Sequence, residues 1–148
     1  MNFLFIEKKL AFITMTILFG NLPIINNKGE GKMDKIKFVK LENAIVRGES
    51  SDYVIKNYIT KEDSNSVSLA ISSLNGVAPA TLNTQSDRLY YFIEADATFE
   101  FENGEIITIE KESALFIPKN TKYKMSGTFK AVLINTPPFD IHNEIHYN

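Results

Sequence analysis

From residue 33 onward the apolar positions recur with a period of two, in short runs of β-branched and aromatic residues broken by Gly, Pro, Asn and Asp. The pattern predicts strands over 36–40, 53–60, 67–74, 89–94, 97–102, 105–110, 114–117, 123–125 and 128–135. Almost no stretch carries a helical stripe. The clearest element runs from Ala97 to Glu102, where Phe99 and Phe101 alternate with Thr98, Glu100 and Glu102, so one face is apolar and the other wet. Asn103-Gly104 follows, a pair suited to the two positive-φ positions of a type I′ turn, and a hairpin is expected there. Short strands in regular succession, joined by tight turns, predict one all-β domain, an antiparallel sandwich or barrel.

Residues 1–32 break this pattern. Lys8 and Lys9 precede an apolar run over 10–19, after which Asn, Gly, Pro and Lys take over. Ten apolar-rich residues fall short of the roughly 20 needed to span a membrane. The lysine flank suits a signal peptide, although Leu18-Phe19-Gly20-Asn21 offers no small-x-small cleavage site. Gly29-Glu30-Gly31, just ahead of Met33, requires purine-rich codons before an ATG and resembles a translated ribosome-binding site. The expectation is a mis-called start or signal-like segment over 1–32 and a domain over 33–148. Without the segment, four lysines and two glutamates go, leaving twelve basic and sixteen acidic side chains and a net charge of -4. A start at Met33 implies a cytoplasmic protein with no membrane contact; a genuine signal would make it secreted or anchored.

Composition narrows the chemistry. The full chain of 148 residues suits one domain, and 44% hydrophobic with 23% charged residues reads as soluble and globular. A formal charge of -2 gives no electrostatic case for a nucleic-acid partner. Cys is absent, which removes thiolate metal sites, disulfides and cysteine nucleophiles. The only histidines are His142 and His146, so no Ser-His-Asp arrangement is expected inside the domain. Neither is a Gly-rich phosphate loop present.

Leu89-Tyr90-Tyr91-Phe92-Ile93-Glu94-Ala95, the Asn-Gly hairpin and Ala114-Leu115-Phe116-Ile117-Pro118-Lys119-Asn120-Thr121 together resemble the cupin family of small jelly-roll barrels. Gly76, Leu82, Thr84, Arg88 and Ala95 fall at the spacing of that family's first motif. Glu112, Pro118, Asn120, Tyr123 and Gly127 fall at that of its second, sixteen residues further on. The likeness covers roughly 67–138. It implies a cupin-like double-stranded β-helix and, in the usual case, a metal held by three His and one Glu. Those four positions carry Leu82, Thr84, Arg88 and Tyr123, and a one-residue shift offers only Asn83. Leu cannot ligate and Arg repels a cation, so neither a metal nor another cofactor is expected. Metal-dependent dioxygenase chemistry is not expected either.

Alternation points Arg88, Tyr90 and Phe92 into the barrel, with Phe99, Phe101 and Tyr123 as further inward candidates. An inward Arg88 can clamp a carboxylate or phosphate. Alternatively it is paired internally with Glu94, Glu100 or Glu102, or it faces solvent. Tyr123 can donate a hydrogen bond, act as a general acid, or simply pack. His142 and His146, with Asp140 or Glu144, can be drawn as a metal site, but a short segment behind Pro137-Pro138 reads better as a surface tail.

The first functional reading is therefore a metal-free protein binding a small molecule, an anion among the candidates, through Arg88, Thr84, Tyr90, Tyr123 and Asn83. The second is a metal-independent isomerase or lyase for a small, sugar-like substrate, with Tyr123 as its catalytic candidate beside Glu94 or Glu100. The third is a non-catalytic dimerisation or regulatory module. The resemblance also implies a homodimer through barrel faces.

Overall fold

A computed structural model describes residues 36–147, so the expectations about residues 1–32 and a start at Met33 lie outside the described residues. Among the described residues nine strands follow in order: β1 Ile45–Ser50, β2 Tyr53–Ile59, β3 Ser68–Val77, β4 Ala80–Asn83, β5 Asp87–Phe101, β6 Ile106–Ile109, β7 Ala114–Ile117, β8 Tyr123–Thr136 and β9 Glu144–Tyr147. All pairings are antiparallel. The all-β reading holds.

Two long strands organise the rest. β8 pairs with β5 over nearly its whole length and with β3 on its other edge. β2 and then β1 extend the sheet beyond β3. The free edge of β5 is covered by β7 along its first part and by β6 along its second. β4 meets β8 through Thr81 opposite Tyr123, and β9 pairs with β4.

The alternation in β5 changes parity part-way. Arg88, Tyr90 and Phe92 are buried, and then Ala97 and Phe99 are. A register irregularity between Phe92 and Glu94 accounts for this, because one extra residue in a strand moves every later side chain to the opposite face. Two sequence-predicted strands, 89–94 and 97–102, are thereby one bent strand. Likewise 123–125 and 128–135 are one strand, β8, bent near Gly127. That glycine has φ +106°, and a Cβ there would lie 2.3 Å from the Asp96 carbonyl oxygen. No other residue type fits so close an approach of two backbones.

The bends curl the sheet around an aromatic core. Tyr90, Phe92, Phe99 and Phe129 pack with ring centroids 5.5 to 6.4 Å apart, mostly edge to face. Ala131, Leu133 and Met125 fill the spaces between them.

Several expectations need correction. Residues 36–40 form no strand. The hairpin after β5 is not type I′, since only Gly104 has positive φ and Asn103 does not. Gly104 N–H donates to the Phe101 carbonyl, and Phe101 N–H to that of Glu105, the pattern of a type I turn closed by a left-handed glycine. The short strands β1, β4 and β9 were absent from the sequence prediction. Among the described residues, no helix is long and apolar enough to cross a membrane.

Candidate functional site

Arg88 sits at the start of β5, where the Asp87 carboxylate accepts the Lys119 N–H at 2.9 Å and ties the strand to the turn after β7. Its side chain enters the barrel and is almost fully buried. A buried guanidinium requires partners, and those nominated from sequence are not the ones used. Glu94, Glu100 and Glu102 are all exposed. Arg88 Nη2 is paired instead with Glu144 on β9, whose side chain is only 4% exposed.

The segment read as a surface tail is therefore part of the barrel wall. Asp140 caps a 3-10 turn over Ile141–Asn143 by accepting the His142 N–H, and β9 then lies along β4. Pairing sets Asn83 opposite Glu144 and Thr81 opposite His146. The Glu144 carboxylate collects three donors: Thr81 Oγ1 at 2.5 Å on Oε1, and Asn83 Nδ2 at 2.9 Å with Arg88 on Oε2. Asn83 is oriented by its own loop, since its Oδ1 accepts the N–H groups of Gln85 and Ser86 at 3.0 and 2.6 Å.

On its other side Arg88 Nη1 donates to the Tyr123 hydroxyl at 2.6 Å, and Tyr123 and Tyr90 share a further hydrogen bond of 3.1 Å. Burial pushes the Tyr90 phenol well above its ordinary range, with Tyr123 and Tyr53 adding to the effect. Tyr53 is pushed up to about 12 by burial, then by Tyr123. For Arg88 burial opposes the charge, but Tyr123, Tyr90 and Glu144 more than offset it and hold the guanidinium protonated. The cluster is thus a fixed cation hydrogen-bonded to the Tyr123 hydroxyl and paired with one carboxylate.

A cavity of about 20 Å³ remains beside this cluster. That is room for about one water. Arg47, Tyr53, Arg88, Asn135, Phe139 and Glu144 are among its lining residues, and Glu144 is the one carboxylate among those described. The Arg47 and Arg88 guanidiniums lie 4.1 and 5.9 Å from the centre of the Phe139 ring. Arg88 Nε and Asn135 Oδ1 are buried without a protein hydrogen-bond partner. Such groups cost stability unless something polar reaches them.

Of the residues singled out from sequence, Arg88, Tyr90, Tyr123 and Asn83 converge here. Thr84 does not: it is exposed and donates to the Asn143 carbonyl. In β4 the inward positions are Thr81 and Asn83, one residue out of step with the motif spacing that picked Leu82 and Thr84. His142 and His146 are both exposed, and His146 also borders the cavity. The proposed Tyr123 pairing with Glu94 or Glu100 is not formed. Sequence reasoning missed Thr81, Arg47, Asn135 and Phe139, and weighed Glu144 only as a metal ligand on a surface tail, not as the partner of Arg88. Only the alternation of Glu144 and His146 in β9 carried a signal for its inward face.

The metal that the fold's motif spacing implies does not suit this donor set. A guanidinium occupies the centre, flanked by hydroxyls and an amide. Among the described residues no three His, Cys, Asp or Glu side chains converge.

No protein-family model and no curated protein matches the sequence. The fold is found in solved structures. Streptomyces Pac13, described as a nucleoside dehydratase and solved with uridine, is 20% identical with a TM-score of 0.67, over 77% of this chain and 92% of that one. A protein from Planctomyces limnophilus is 20% identical with a TM-score of 0.64, over 74% of this chain and 96% of that one. Bacillus subtilis oxalate decarboxylase is 13% identical with a TM-score of 0.66. There the match covers 82% of this chain but only 34% of that one. The described residues have the cupin-like fold that the sequence resemblance implied.

Proposed function

We propose that the protein binds a small anionic molecule in the barrel, with Arg88 as the principal contact and Tyr123, Tyr90 and Asn83 beside it. The observation that carries this is the buried, permanently charged guanidinium facing a cavity, with its Nε still without a protein partner. Few structural roles call for such a group, since a buried ion pair contributes little net stability over an apolar filling. Cupin-fold neighbours described as acting on small molecules support the reading.

The test is a melting-temperature and calorimetric titration of the wild-type chain with propionate, malonate and inorganic phosphate, repeated on Arg88→Met. Saturable stabilisation of wild type that Arg88→Met loses is expected. If no anion stabilises wild type, or if Arg88→Met responds equally, the reading is wrong.

A second reading is a metal-independent lyase. Tyr123, whose hydroxyl is held by Arg88, is the candidate proton donor to a departing hydroxyl, and the Pac13 likeness supports it. Incubation with uridine and related nucleosides, followed by mass spectrometry, should then find a product lighter by one water. Unchanged substrate sinks this reading.

A further inference from the structure

Three donors from three places in the chain converge on the Glu144 carboxylate: Thr81 and Asn83 of β4 and Arg88 of β5. Two of them cannot accept a hydrogen bond there. Arg88 has no acceptor atom, and the Asn83 oxygen is already taken by two backbone N–H groups. Together they make a seat for a planar carboxylate, with donors on both oxygens and a buried positive charge. Two of the three donors are also oriented by contacts outside β9, although β4 itself takes most of its ladder from that strand. Asn83 is set by its own loop, and Arg88 is set by the start of β5 and by Tyr123.

β9, by contrast, is lightly held. Its ladder with β4 is four residue pairs, and among the described strands it pairs with no other. Ile145 is 42% exposed, and no residue of β9 belongs to the apolar core. Short strands with few apolar contacts open at a small fraction of the global unfolding free energy. The charged end of Glu144 is thus the deepest anchor of a weakly anchored strand.

We propose that this seat is a carboxylate-binding site which Glu144 fills in the absence of ligand, and that a small-molecule carboxylate takes it by displacing β9. The inference rests on the anion-binding reading above and names its ligand class. Glu144 reproduces the ligand's own contacts, and its occupancy sets a threshold. The apparent affinity of a competing carboxylate is lowered by the fraction of time that β9 is closed.

The experiment uses propionate, which matches the Glu144 side chain from Cβ outward, and follows backbone hydrogen exchange in the wild-type chain. Saturating propionate should speed exchange in β9, at Ile145, His146 and Tyr147, and at the β4 amides facing it, while slowing it in the first part of β5. A ligand that merely filled the cavity beside Glu144 would slow exchange in β9 as well. A second arm uses Ile145→Pro, which takes a donor from the β4–β9 ladder and leaves every seat residue in place. Propionate should bind this variant about tenfold more tightly than wild type, by relief of the competition. If propionate binds wild type but protects β9 and gains nothing in Ile145→Pro, the displacement is overturned and the anion-binding reading stands. If propionate binds neither chain, both fall.

Discussion

The barrel interior has two halves built on different physics. Around Phe99 the walls come from β5 and β8, long strands paired with each other almost end to end, and the filling is aromatic. Around Arg88 one wall is β9, four residues held by a single neighbour, and the filling is a charge network. The aromatic half gains from dispersion and from the removal of apolar surface from water, and its rings touch in several directions. The polar half gains little net energy, because the cost of desolvating Arg88 and Glu144 consumes most of their attraction. One half holds the fold together; the other holds a set of hydrogen-bond donors in place.

Substitutions should separate the two. Phe99→Ala, at the centre of the ring cluster, should lower unfolding free energy by about 4 kcal/mol in urea titrations. A loss below about 1 kcal/mol would mean that the cluster is not the mainstay of the fold. Arg88→Met should cost about 3 kcal/mol, because Glu144 is left buried without its cation. Adding Glu144→Leu should recover most of that loss, as apolar replacements of whole buried ion pairs often do. No such recovery is available to Phe99→Ala. If the double variant is no better than the single, the polar half is structural after all.

A smaller effect appears at alkaline pH. Tyr53 has an ordinary pKa of 10.0 and is pushed up to about 12 in the fold by burial and by Tyr123. Below the ordinary value both states keep the proton and stability is flat. As pH rises from 10 towards 12 the unfolded chain releases the proton and the folded chain does not. Stability should therefore fall by about 1.4 kcal/mol per pH unit for this tyrosine. Tyr90, also shifted upwards, should add to the slope. Urea titrations of wild type and Tyr53→Phe at pH 9, 10 and 11 measure it; equal slopes would remove Tyr53 as a source.

How far each half was legible in sequence follows from the same difference. The aromatic half is written as alternation, and Phe92, Phe99 and Tyr90 announce their faces directly. The bulge near Ile93 hid only the continuity of β5, since its parity change looks like the end of one strand and the start of another. The polar half is written in contacts between distant positions. Arg88 and Tyr123 were recognisable as inward residues, but 56 positions separate Arg88 from Glu144, and local charges such as Glu94 looked equally good. β4 and β9 are four residues each, too short for a period to be counted. Thr84 was chosen by motif spacing, and the actual pleat turns Thr81 and Asn83 inward in its stead.

The anchoring of Asn83 has one more consequence. With its carbonyl oxygen fixed by Gln85 and Ser86, the side-chain amide cannot turn round to offer an acceptor. Arg88 never can. If the seat takes a carboxylate as proposed, its Arg88 and Asn83 side should favour a carboxylate oxygen over an amide nitrogen. In the proposed seat a carboxylate meets donors on both oxygens, whereas an amide fits in one orientation alone, with its N–H at the Thr81 hydroxyl and its oxygen at Arg88 and Asn83. That lost orientation and the lost charge pairing with Arg88 should weaken an amide relative to its acid with no difference in bulk.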